Sequence, residues 1–124
     1  MIFVFGSNLA GIHGAGAAKH AVLNEGAMYG VGVGLQGNSY ALPTKNHKIV
    51  SLTLGSIAQH VDDFIQFAQE HPELEFKVTR VGCGLAGFKD NQIAPMFLMA
   101  PYNCYFDMKW HHWLGDKHQY WGSQ

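Results

Sequence analysis

The apolar positions of the chain follow two rhythms. Ile57, Val61, Phe64, Ile65 and Ala68 recur at helical spacing, and Asp62, Asp63, Gln66 and Gln69 fall mostly on the other face. That pattern predicts an amphipathic helix. Thr53 or Ser56 is placed to cap it, and His71-Pro72 ends it, because the residue before a proline avoids helical backbone. Short apolar runs read as strands at residues 2–5, 39–43 and 49–52, around Phe76, Val78 and Val81, and at 104–106. A helix opens at Gly14-Ala15-Gly16 and runs to Asn24, with Gly26 as its stop. Another spans about residues 91–99 and is closed by Pro101. Residues 30–37 (GVGVGLQG) are too rich in glycine for a stable helix or central strand and read as a loop. Strands and helices alternate, with glycines where strands finish. The reading is one α/β domain over residues 1–124, with a ligand crevice at the carboxyl ends of its strands.

Composition narrows the partners. Of the 124 residues, 48% are hydrophobic and 14% charged, a globular balance with enough chain for one core. A formal net charge of -1 leaves no basic footprint for duplex nucleic acid or an anionic membrane. A nucleotide would therefore be held by local backbone groups. No apolar run reaches the ~18 residues of a membrane span, and the run at residues 2–5 has no basic segment before it, so it reads as a first strand rather than a signal peptide. Cys83 and Cys104 belong to no short cysteine spacing, which argues for a reduced, cytoplasmic setting.

Two segments share one design, a strand running into glycines and then a helix: FVFGSNLAGIHGAGAAKHA and VTRVGCGLAGFKDNQIA. Glycine leaves no Cβ between an amide and a ligand, and the helix that follows offers unpaired N–H groups and the positive end of its dipole. Facing one another, two such loops would clamp a diphosphate without a lysine. The first loop spells neither GxGxxG nor GxxxxGK[ST], which excludes a dinucleotide Rossmann domain and a P-loop NTPase. Candidate ligand-binding residues are Ser7, Asn8, His13, Gly14, Ala15 and Gly16 in the first loop. In the second they are Gly82, Gly84, Leu85, Ala86, Gly87 and Phe88. His13 would donate to a phosphate, Asn8 would bond a ribose hydroxyl or close the turn, and Phe88 would stack on a ring or fill the core. Gln36, Asn38 and Ser39 are placed to line the pocket beside the middle loop.

GAGAA, YALPTK and VTRVGCGLAGF, in that order with a helix between the last two, resemble the macrodomain family. The likeness is closest to the branch that removes terminal ADP-ribose from acidic side chains with a lysine, and it spans residues 3–106. It implies a three-layer fold, a mixed central sheet flanked by helices, and an ADP-ribose-like ligand. The family's additional N-terminal strand, with the aspartate that holds the adenine amino group, has no counterpart here. By the same resemblance Lys45 matches the lysine that attacks the distal ribose, and Ala86 occupies the position of the catalytic aspartate. Asp90, four residues on, is the alternative acid, its other reading being a helix N-cap. Hydrolysis is thus left open between Lys45 with Asp90 and no chemistry at all.

The end of the chain reads MKWHHWLGDKHQYWGSQ. His111, His112 and His118 match no common metal spacing, so no metal and no cofactor are expected. Trp110, Trp113 and Trp121 read as a cover for a sheet edge or a homo-oligomer contact. That segment supplies the alternative function, a protein–protein interaction module in which the glycine loops are only structural.

Overall fold

The computed structural model describes residues 1–123. Its frame is a six-stranded mixed sheet in the order β2-β3-β1-β4-β5-β6. The strands are β1 (Ile2–Asn8), β2 (Gly34–Gln36), β3 (Ser39–Lys45), β4 (Phe76–Val78), β5 (Cys104–Asp107) and β6 (Gln119–Gly122). β1 pairs in parallel with β3 and β4, β4 with β5, and β5 with β6; the edge strand β2 alone runs antiparallel. The α/β architecture expected from the alternation of elements is the one observed.

Period-two alternation sorts β1 between two layers. Ile2 and Val4 face one core with Tyr40, Leu42, Phe76, Val78 and Phe106. The helix α2 (Leu54–Glu70) covers that face with Ile57, Val61, Phe64, Ile65 and Ala68. Thr53 is its cap, accepting from the Ser56 amide at 3.2 Å. Phe3 and Phe5 face the opposite side, where Ala41 and Ala21 let the helix α1 (Gly16–Asn24) lie close. The second core is smaller because α1 meets the sheet with alanines.

Several expectations need correction. Residues 30–37 include β2, a three-residue edge strand that the four glycines of this stretch conceal. Residues 49–52 form no strand; a single antiparallel bridge joins Lys45 to Ser51. The helix expected at 91–99 is broken into α3 (Asp90–Ile93) and a 3₁₀ turn (Ala94–Phe97), since Pro95 supplies no N–H to continue an α-helix. The tryptophan-rich tail does not lie over an edge strand; its end is the edge strand, β6. Ahead of β6 come a 3₁₀ turn (Met108–Trp110) and α4 (His111–Leu114). Trp110 is fully buried in the larger core, and Trp121 lies across the sheet, its Nε1 donating to the Val78 carbonyl at 2.9 Å. Among the described residues no helix is long and apolar enough to cross a membrane.

Candidate functional site

β1, β3, β4 and β5 are parallel, so their carboxyl ends lie on one side of the sheet. A crevice of about 540 Å³ opens there, within the usual size of a small-molecule site. Gly6, Ser7 and Asn8 enter it from β1, Thr44 and Lys45 from β3, Thr79 and Arg80 from the residues after β4, and Asp107 from β5.

Both glycine loops wall this crevice. Gly14, Ala15 and Gly16 line it from the first loop; Gly82, Gly84, Leu85 and Ala86 line it from the second. They approach one another at Gly16, where an added Cβ would lie 3.6 Å from Leu85 Cδ1. Gly16 needs to be glycine for its backbone, with φ at +57°. Gly14 and Gly84 do not: neither has a left-handed φ, and a Cβ on either would meet nothing within 4 Å. Their missing side chains leave open space in the crevice.

The amides on these walls are available. α1 begins after Ala15 with no side-chain cap, so its first N–H groups lack helical acceptors. Among the described residues the amides of Gly14, Ala15, Gly84, Leu85 and Ala86 donate to no protein group. The arrangement offers a set of backbone donors and one helix N-terminus to an anion.

Side chains brace the first loop rather than project from it. Asn8 is spent on its own turn, donating to the Ile12 carbonyl at 2.7 Å and accepting from the Ile12 amide at 3.0 Å. Ser7 Oγ donates to the Gly32 carbonyl at 2.6 Å. His13 corrects the expectation of a phosphate donor: it is fully buried, does not line the crevice, and sits edge-on to Phe5. Its Nε2 lies 2.9 Å from the Met28 carbonyl and 3.1 Å from that of Val31, so it carries the proton and donates there. The Gln36 side chain ties the same stretch by accepting from the Met28 amide and donating to the Val31 carbonyl. Gln36, Asn38 and Ser39 lie outside the crevice lining.

Asp90 is corrected in the same way. It does not line the crevice and is the first residue of α3, not its cap. Arg80 grips its carboxylate with two bonds, of 2.8 and 2.6 Å, and Trp110 Nε1 donates to it at 2.8 Å. The hydrogen bond from Arg80 leads in holding this carboxyl well below the usual range, at about 2. It therefore stays ionised and committed, unsuited to a general acid. Phe88 and Gly87 also fall outside the lining, and Phe88 packs against the larger core.

Lys45, at the end of β3, does line the crevice. Asp107 was not foreseen. It is 2% exposed and, among the described residues, is the one carboxylate in the lining, its Oδ1 accepting from the Lys109 amide and from Ser123 Oγ. Cys83 lines the crevice too, but burial pushes its thiol up to about 12, so it is no nucleophile at neutral pH. Both cysteines are free. No group of three or more metal-ligating side chains gathers among the described residues; His111 pairs with Asp116, and His118 meets the Leu98 carbonyl. No protein-family model, curated protein or solved structure matches the chain.

Proposed function

We propose that this protein binds an ADP-ribose-like nucleotide, its diphosphate lying between the two glycine loops. One observation carries the reading. Two strand–glycine–helix segments, far apart in sequence, bring unpaired amides to the lining of a single crevice and approach one another at Gly16 and Leu85. Gly14 and Gly84 strengthen it, because nothing in the fold itself requires them to be glycine. The crevice holds Arg80 and Lys45, but Arg80 is engaged with Asp90, so the diphosphate would rely on amides and the α1 N-terminus.

Binding without turnover is the preferred form. Hydrolysis through Lys45 needs an acid to shuttle protons, and the two positions considered for it hold Ala86 and an Asp90 locked to Arg80 and Trp110. The interaction-module reading is weakened by Trp110, which is buried in the core and cannot present itself to a partner.

Titration of ADP-ribose into the protein by calorimetry tests the proposal. Saturable heat at one site is expected, and absence of heat at about 1 mM ligand, the floor of useful affinity, refutes it. Incubation with a peptide ADP-ribosylated on acidic side chains separates binder from hydrolase. Release of ADP-ribose by the wild-type chain that vanishes in Lys45→Ala would establish an enzyme; no release is expected.

A further inference from the structure

The turn after β3 holds a feature that neither core explains. Ile49 has φ +62°, the one non-glycine residue among those described with left-handed backbone. A β-branched side chain is a genuine outlier there, because its Cβ crowds the following carbonyl. The turn enforces it. Asn46 Oδ1 accepts from the amides of Lys48 and Val50, at 2.8 and 3.1 Å. The Asn46 amide donates to the Val50 carbonyl at 2.8 Å, and the Ile49 amide donates to the Asn46 carbonyl at 3.1 Å. Such strain persists where the surroundings over-determine it, and it gathers at ligand clamps.

What the strain achieves is placement. Ile49 lines the crevice while remaining 39% exposed, and it belongs to neither core cluster. Ile12, at 54% exposure, and Leu85, at 71%, line the crevice from the two glycine loops and likewise support no core. Three apolar side chains from three separate loops thus stand in water around one mouth. Two of the loops are tied together, since Ser51 Oγ donates to the Ala86 carbonyl at 2.7 Å.

The geometry points to Ile49 as a ligand clamp, which with Ile12 and Leu85 grips the ring-bearing end of a nucleoside diphosphate and so favours it over bare diphosphate. This rests on the proposed nucleotide binding. Amides alone would hold any diphosphate; the apolar collar adds a term that only a ligand with a sugar or base face can collect, by covering exposed hydrocarbon.

Calorimetric titration of wild type, Ile49→Gly and Ile49→Asn with ADP-ribose and with inorganic pyrophosphate tests it, alongside thermal melts. Glycine and asparagine both accept left-handed backbone. Both variants are expected to melt at or above the wild-type temperature, to bind ADP-ribose about tenfold more weakly, and to bind pyrophosphate as wild type does. Unchanged ADP-ribose affinity in both variants, equal loss for both ligands, or a fall in melting temperature of several degrees in both variants would overturn the clamp alone. Wild-type protein that binds neither ligand would overturn the nucleotide reading and the clamp with it.

Discussion

Gly84 separates a loop built to receive a ligand from one that only turns. Replacing it with alanine adds a methyl group where no atom lies within 4 Å, on backbone outside the left-handed region. The free protein should tolerate this and gain about 0.4–1 kcal/mol, because the unfolded chain loses freedom. The same change at Gly16 forces φ +57° on an L-residue and should cost about 1–2 kcal/mol. At roughly 3–5 °C per kcal/mol for a chain of this size, the two variants should melt on opposite sides of wild type. Affinity should behave differently. A methyl at Gly84 stands beside amides that are free to meet phosphate oxygens, and each charge-assisted bond lost is worth about 1.5–3 kcal/mol. ADP-ribose should therefore bind about 10- to 150-fold more weakly to Gly84→Ala, as measured by calorimetry. The reasoning fails if Gly84→Ala binds as wild type does, or if it is destabilised as much as Gly16→Ala.

Other outcomes follow from the groups around the crevice. Asp90→Asn should lower stability by about 1–2 kcal/mol, allowing for the solvent that reaches this pair, while ADP-ribose binding persists; thermal melts and titration check both. Because the folded-state value of Asp90, about 2, lies below the ordinary carboxylate value of about 3.9, its stabilisation is complete above about pH 5 and lost as the pH falls through 4 towards 2. Acid melts of wild type should show that loss, and melts of Asp90→Asn should lack this contribution. His13→Ala should cost about 2–4 kcal/mol through a cavity beside Phe5 and the lost ring tie to the Met28 and Val31 carbonyls, and hydrogen exchange should quicken across residues 28–36.

Much of the frame was legible because it is local. The helical spacing of Ile57 through Ala68 marked α2, and the glycines at 14–16 and 82–84 marked the loops that line the crevice, although Gly6, which reads as the end of the first strand, lies within β1. What escaped depends on partners distant in sequence. His13 sits among glycines and looks like a surface residue; only the folding of residues 28–36 back over it buries the ring. Asp90 carries no mark of the Arg80 and Trp110 that claim its carboxylate from 10 positions before and 20 after. β6 was invisible because Gln119, Tyr120, Trp121 and Gly122 have no alternation, and parallel pairing with β5 is written in no turn. Ile49 gave no signal either, since a left-handed isoleucine is contrary to every propensity and arises from the Asn46 hydrogen bonds around it.

The central place of β1 has a consequence for biosynthesis. It is made before both of the strands that flank it, since β3 and β4 begin only at Ser39 and Phe76. Until they emerge, the ribbon Ile2-Phe3-Val4-Phe5 has bare edges and two greasy faces. A nascent chain therefore carries an adhesive segment until β4 has been made, and emergence of Val78 is the first moment at which both edges of that ribbon can be sealed.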